Sequence, residues 1–308
     1  MNEKTFEVII IGGGPAGLTA GLYASRAGLK SLLIEKGVFG GQLTNAEHVE
    51  NFPGFPEGIS GIELGDRMRE QASKYNLKIE ATEAIGIELQ GKKNKLVKTL
   101  DETCTTGTLI LAGGSVRKKL GVPGEDSYTG KGVSYCATCD SAFFIDMPVV
   151  VVGGGDAALT EALHLAKHAS TVTVIHRRHE PRATKVLQER AFAEPKIKFL
   201  WSTIISAIEG NDLVKRVKLA NVQTGGASQL ETAGVFISVG FEPATGLVKG
   251  LVLLDEVGHI ITNEKMETAV PGVLAAGDIR HNSGRQAITA AGDGATAAIN
   301  AQKYLTEG

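Results

Sequence analysis

The feature that most constrains this chain is a run of 30 residues that occurs twice. Glu7 to Lys36, EVIIIGGGPAGLTAGLYASRAGLKSLLIEK, recurs as Pro148 to Arg177, PVVVVGGGDAALTEALHLAKHASTVTVIHR, at a constant offset of 141 without a gap. Gly12 maps to Gly153, Gly14 to Gly155 and Gly17 to Ala158. Each copy reads as an apolar strand, a Gly-rich turn, a helix and a second strand. An unbroken apolar run marks a strand covered on both faces of a parallel sheet. Leu159, Leu163 and Ala166 then recur at near-helical spacing. The repeat is two βαβ units, and the chain reads as α/β: two Rossmann-like, three-layer (ββα) nucleotide-binding domains. At 308 residues it is long enough for each domain to bury its own core.

A single G-x-G-x-x-G is weak evidence, because glycines also mark ordinary turns. Here the context is right twice: each turn follows a buried strand and opens a helix, so backbone N–H groups and the helix dipole converge on a pyrophosphate. Glycine is abundant, at 39 residues, while proline is sparse at 9. That combination points to tight turns around ligands and away from disorder. The end of each unit's second strand selects the dinucleotide. Glu35, 21 residues past Gly14, can accept bonds from ribose hydroxyls, which suits FAD or NAD. The matching position holds His176, followed by Arg177 and Arg178, with Arg182 close behind. A carboxylate would repel a 2′-phosphate, whereas a guanidinium cluster binds it, so the second site reads as an NADPH site. A solvated basic loop is the plainer alternative.

The second unit interrupts the first domain. TLILAGG (108–114) and GVFISVG (234–240) each read as a strand followed by a polar, turn-rich segment, which places the crossings between domains near 115–121 and 241–247. The expected layout is an FAD domain of residues 1–117 and 245–308, with an NADPH domain of 118–244 inserted in it. The tail adds a strand ending at Gly277-Asp278 and a Gly/Ala-rich helix from about Arg285 to Tyr304. Asp278 can stand beside a ribityl chain or pyrophosphate, and Arg285 can neutralise phosphate.

Between the units lies SYCATCD, Ser134 to Asp140. A structural zinc site needs about four ligands, yet the third cysteine, Cys104, is the sole remaining thiol and no second CxxC or paired histidines accompany the first. No metal site is expected. A structural disulfide over so short a loop stabilises little. A redox dithiol fits better, with one thiolate attacking an external disulfide and the other resolving it. Asp140 is the candidate proton donor, or else a cap for the following turn. Cys104, just before an apolar strand, reads as a buried small hydrophobe. The net charge of −2 and the lack of like-charge runs exclude a nucleic-acid tract or a membrane-binding arm. The uncharged run Val8–Ser25 has the length of a membrane span, but its five glycines and one proline argue against that, and the expected compartment is the cytoplasm. NADPH delivers two electrons as hydride and a disulfide accepts two; flavin mediates between them. Together the parts specify a flavoprotein disulfide reductase.

The segments GGGPAGLTAGLYASRAGL, GGQLTNAEHVENFPGF, SYCATCD, HRRHEPRA and AAGDIRHNSGRQAITAAGDGA resemble the successive motifs of the low-molecular-weight thioredoxin reductase family across nearly the whole chain. The resemblance implies FAD held by the turn of Gly12, Gly14, Ala16 and Gly17, by Glu35 and Lys36, by Gly40, Gly41 and Gln42, by Asn51, by Asp278, and by Arg285, Gln286 and Ala287, with an adenine contact near Ala84. For NADPH it implies Gly153, Gly155, Asp156, Ala157, His176, Arg177, Arg178 and Arg182. It further implies that Cys136 and Cys139 form the redox disulfide, that Cys139 faces the flavin, that Asp140 is the acid, that a thioredoxin-like disulfide is the substrate, and that the enzyme is a homodimer. Three residues depart from the family pattern. Ala157 stands where a hydroxyl is usual and removes about 1 kcal/mol of hydrogen bonding to the pyrophosphate. Glu180-Pro181 is expected to restrict and partly neutralise the approach to Arg182. Gly113 replaces a common Thr and loosens the first crossing.

Because Cys136 and Cys139 precede the strand at Val149–Val152 in sequence, they are expected at its N-terminal end, about 20 Å from a nicotinamide at the other. Unless the intervening SAFFIDM folds back, the two cannot both meet the flavin in one arrangement, and the NADPH domain is then expected to rotate on the crossings at 115–121 and 241–247 to present each reactant in turn, as the resemblance implies. Rival readings are a related flavoprotein with ferredoxin or reduced flavin as donor, one with a peroxiredoxin system as acceptor, and a non-catalytic FAD redox sensor. The three arginines argue against a changed donor, and the lack of an appended thioredoxin-like domain against the self-contained peroxiredoxin system.

Overall fold

The computed structural model describes residues 4–46, 48–91 and 94–307. The chain divides into two units, residues 1–116 with 242–308, and residues 117–241. The divisions fall one and three residues before the expected limits.

In the first unit, strand Lys4–Ile11 pairs in parallel with Ser31–Glu35 on one side and Thr103–Leu111 on the other. Lys78–Ala81 extends the sheet beyond Ser31–Glu35, and Val273–Ala275 joins Thr103–Leu111, both in parallel. The strands are Val/Ile/Leu-rich because both faces are covered. Val8, Ile10, Leu33 and Ile110 pack under the helices, whereas Phe6, Ile9, Leu32, Ile34 and Leu109 pack on the other side with Val97, Val248 and Ile260. That third layer includes antiparallel strands Ala84–Leu89 and Lys95–Thr99, which pair on to the start of Thr103–Leu111. The helices Pro15–Arg26 and Ala287–Glu307 lie so close that a Cβ on Gly294 would sit 2.0 Å from the carbonyl oxygen of Ala16. The small residues Ala20, Ala24, Ala297 and Ala301, all fully buried, make that approach possible.

The second unit repeats the plan. Five parallel strands run in the order Ile197–Leu200, Thr171–Ile175, Pro148–Val152, Gly234–Ile237, Val133–Ser134. An antiparallel layer of Thr203–Gly210, Val214–Asn221 and Ala227–Glu231 covers one face, and helix Asp156–Ala166 the other. Two expected strands are shorter than drawn from sequence: the second unit's ends at Ile237, and the tail's at Ala275, after which Gly277–Ile279 forms a 3-10 turn. The last helix starts at Ala287 and runs to Glu307. Cys104 lies inside strand Thr103–Leu111, not before it, and is fully buried.

The dithiol does not stand at the far end of the sheet, because the SAFFIDM segment folds back, the alternative left open above. Val133–Ser134 is itself a parallel strand of the sheet, with Ser134 level with Phe236 and, through it, with Val151. Cys136 therefore emerges just past the C-terminal edge, the edge from which Gly153 also leaves. The intervening segment folds back: the short helix Ala137–Asp140 leads into the turn Ser141–Phe144, and the Phe144 ring packs edge-on against Phe236. Order along the chain misled because the return path, not a strand length, separates the two.

Candidate functional site

In the first unit Ile11, Ile34, Leu111 and Ala275 lie level across four strands, so Gly12, Glu35, Ala112 and Ala276 leave at one edge. The glycines there are demanded by close approach. Gly12 has φ +112°, and a Cβ on it would stand 2.2 Å from the Ala112 oxygen; a Cβ on Gly17 would stand 1.7 Å from the Gly12 oxygen. At Gly14 a Cβ would meet nothing within 4 Å, so this backbone faces open space ahead of helix Pro15–Arg26. One Glu35 oxygen accepts from the Gly13 N–H at 2.6 Å and the other from the Gly37 N–H at 2.6 Å, which holds the carboxylate at the turn.

The remaining candidates converge on that edge. The Gly40 N–H donates to the Gly13 oxygen at 2.8 Å, and a Cβ on Gly41 would lie 3.3 Å from the Gly14 Cα. Gln42 donates to the Ser115 oxygen at 3.3 Å. Lys36 pairs with Glu83 at 3.0 Å, which brings Ala84, the next residue, alongside the end of strand Ser31–Glu35. Asn51 donates to the Gln286 side chain at 3.1 Å. The Ser283 hydroxyl donates to Asp278 at 2.8 Å and accepts from the Arg285 N–H at 3.2 Å. Arg285, with φ +51°, reverses the chain two residues before helix Ala287–Glu307.

Sequence reasoning missed Asp293. Its buried carboxylate accepts from the Gly277 N–H at 3.1 Å and from the Arg280 guanidinium at 2.6 and 2.8 Å, and so fixes the loop that carries Asp278. An acid amid the small residues of AAGDGAT was the available signal.

The second unit contains a cavity of about 620 Å³, a size suited to a nucleotide. It is lined by Gly153, Gly155, Asp156, Ala157, His176, Arg177 and Arg182, and also by Lys118, Thr203 and Ser238, which the sequence did not single out. Arg178 is not among the lining residues. The Pro181 loop does not keep Arg182 away: the Arg182 N–H donates to the Gly154 oxygen at 2.6 Å, and the Thr184 N–H donates to Asp156 at 2.6 Å. These two bonds close the basic loop on to the Gly-rich turn, so Asp156 braces the cavity wall. A Cβ on Gly113 would make only ordinary contacts of 3.5 Å or more, so the position has room for the side chain usual there.

His176 is buried, and burial first, then Arg182, Arg178 and Arg177, lowers its pKa, which keeps the imidazole neutral. Its Nε2 has no hydrogen-bond partner among the described residues. Buried polar atoms without a partner are few in folded proteins.

Cys136 and Cys139 are joined in a disulfide, Cα–Cα 5.4 Å. Cys136 caps the helix Ala137–Asp140, its sulfur accepting from the Cys139 N–H at 3.3 Å. Asp140 begins the following turn but makes no side-chain cap bond, so its carboxylate is not spent on capping. Ser141 contacts His164 Nε2 at 3.1 Å, anchoring this segment on helix Asp156–Ala166. Neither cysteine lines the 620 Å³ cavity. Among the described residues no helix is long and apolar enough to cross a membrane, and no group of three or more His, Cys, Asp or Glu is placed to hold a metal ion.

Residues 6–294 match the model of the family described as pyridine nucleotide-disulphide oxidoreductase. The chain is 48% identical over 307 residues to the thioredoxin reductase of Mycolicibacterium smegmatis, covering 99% of this chain and 98% of the relative. It is 47% identical to the thioredoxin reductase of Bacillus subtilis (strain 168), covering 99% and 96%. Among solved structures it is similar to Lactococcus lactis thioredoxin reductase in its FR conformation, with a TM-score of 0.92, 43% identity, and 98% and 99% of the two chains covered.

Proposed function

The chain belongs to the pyridine nucleotide-disulphide oxidoreductase family, and within it to the thioredoxin reductases, and from that premise we propose how its residues reduce thioredoxin disulfide with electrons from NADPH. The observation that carries the reading is one unit that holds both a disulfide and a nucleotide cavity walled by His176, Arg177 and Arg182. Both cofactors fit. In the first unit the Gly12–Gly17 turn, Glu35, Gly40–Gln42, Asn51, Asp278 and Arg285–Ala287 would hold FAD, the open backbone at Gly14 receiving its pyrophosphate. In the second, the Gly153–Ala157 turn would hold the pyrophosphate of NADPH, with Arg177 and Arg182 on its 2′-phosphate and the orphan His176 Nε2 beside them. FAD supplies the step that converts a two-electron hydride donor into a reductant for a disulfide.

The protein's own part follows from its sulfurs. Reduction of the Cys136–Cys139 bond takes two electrons and two protons and leaves two thiols. The Cys136 sulfur already accepts a backbone N–H, a position that favours its thiolate. Cys136 therefore attacks one sulfur of the thioredoxin disulfide and releases the other as a thiolate. Cys139 then attacks the Cys136 sulfur of the mixed disulfide and displaces the thioredoxin sulfur as a thiolate, which restores the Cys136–Cys139 bond and releases reduced thioredoxin. Asp140, free of capping duty, donates the proton to the leaving thiolate.

The cavity and the dithiol occupy separate places on one unit, and the strands that carry them are two apart in the sheet, about 10 Å. The unit of residues 117–241 rotates on its two crossings so that each meets the flavin in turn. The enzyme works as a cytoplasmic homodimer. The reading is tested by mixing the FAD-loaded protein anaerobically with NADPH and separately with NADH. Rapid bleaching of the flavin absorbance by NADPH alone is expected; equal bleaching by both would contradict the assignment of Arg177 and Arg182.

A further inference from the structure

The chain enters the second unit at Arg117 and leaves it at Phe241, and these two residues touch. The Arg117 guanidinium lies over the Phe241 ring, 5.4 Å from its centroid. Its Nη1 also donates to Glu161 Oε1 at 2.6 Å, and the two side chains are only 15% and 11% exposed. Burial pushes the Glu161 carboxyl up in pKa, against the pull of Arg117. A buried ion pair can often be replaced by apolar residues without loss of stability, so stability does not explain this one. Its location does. Glu161 belongs to helix Asp156–Ala166, which the Gly153–Gly155 turn opens. One residue inside the unit, the Lys118 N–H donates to the Gly240 oxygen at 2.9 Å, and Lys118, Gly240 and Phe241 line the same cavity as that turn. A single guanidinium thus ties the first crossing, the second crossing and the nucleotide helix together.

We infer that Arg117 is a positioning residue that clamps both crossings to helix Asp156–Ala166, so that rotation of the unit is taken up by residues 113–116 and 242–244. These residues are paired, Ser115–Arg117 with Phe241–Pro243 in a two-stranded sheet and the Ala244 N–H with the Gly114 oxygen at 3.0 Å, so they turn as one ribbon, and Gly114, with φ +64°, supplies torsional freedom at its end. The inference rests on the reading of the chain as a thioredoxin reductase whose units rotate.

The test uses FAD-loaded protein and reads amide hydrogen exchange across 115–120 and 239–244, NADP+ affinity from the fluorescence of the single tryptophan, Trp201, which stands edge-on to His176, and the kcat/KM split. In Arg117→Met, exchange across both crossings accelerates at least about tenfold, NADP+ affinity stays within about twofold, and kcat falls at least about fivefold at unchanged KM for NADPH. Because Arg117→Met strands the buried Glu161 carboxylate, Arg117→Met/Glu161→Leu is measured beside it. That variant regains thermal stability yet keeps fast exchange. Exchange in Arg117→Met within about twofold of the parent, or slow exchange restored in the double variant, overturns the clamp. Should NADPH fail to bleach the parent protein, the functional reading fails instead, and the exchange data still judge Arg117.

Discussion

The imidazole of His176 occupies the space that a side chain at Gly154 would need: a Cβ there would stand 2.5 Å from both Nδ1 and Cε1. The second glycine of the turn is thus reserved for a neighbouring side chain, and the ring it admits, a lining residue of the 620 Å³ cavity, keeps its buried Nε2 without a partner among the described residues. Gly154→Ala forces the buried His176 ring to shift, since all three nearest atoms belong to it. NADP+ affinity, read by Trp201 fluorescence, is expected to fall at least about tenfold, or about 1.4 kcal/mol, with FAD content unchanged. Unaltered affinity would mean that His176 is a bystander.

The three arginines of the basic loop are not placed alike. Arg177 and Arg182 line the cavity and Arg178 does not. Removing one charge-assisted contact costs about 1.5–3 kcal/mol, so kcat/KM for NADPH drops about 10- to 100-fold in Arg177→Ala or Arg182→Ala, with NADH use untouched. Arg178→Ala should cost less than about fivefold, as for an exposed charge. Equal losses for all three would place Arg178 on the nucleotide as well.

Much of this was legible before any coordinates. The repeat, its glycines and the strand ends pointed to two Rossmann-like sheets, because period and close backbone approach are written locally. The basic loop's closure on Gly154 was not, since it depends on a backbone bond between residues 28 apart. The dithiol's position also escaped, because a two-residue strand, Val133–Ser134, carries no periodic pattern and its pairing with Gly234–Ile237 spans about a hundred residues. Arg117, Glu161 and Asp293 were equally silent, being polar residues whose partners lie far along the chain.

Lys95 has no exposed surface; its ammonium donates to the Gly107 oxygen at 2.8 Å and faces the Tyr304 ring at 5.6 Å. Burial lowers its pKa from 10.5 to about 8. Between those values the unfolded chain holds a proton that the native protein has lost, so stability rises with pH through that window and the benefit is absent below it. Relative to Lys95→Met, the parent protein gains up to about 3 kcal/mol between pH 8 and 10.5, measured from urea midpoints. Parallel profiles would show that the ammonium is not penalised.

Cys104 should be inert. Burial, with the charges of Glu102 and Glu80, pushes its pKa from 9.0 to about 11, leaving about one thiolate in a thousand at pH 8. After reduction, native protein at that pH is expected to present two rapidly alkylated thiols, and the third only on denaturation. Three fast thiols would contradict the packing of strand Thr103–Leu111.

The central claim is that electrons reach thioredoxin only through the Cys136–Cys139 pair of a nucleotide-binding unit. Cys136→Ser/Cys139→Ser, loaded with FAD, tests it directly when NADPH bleaching and reduction of oxidised thioredoxin are followed side by side. The account predicts bleaching at about the parent rate and no thioredoxin reduction above the uncatalysed background. Continued thioredoxin reduction by the double variant would contradict it.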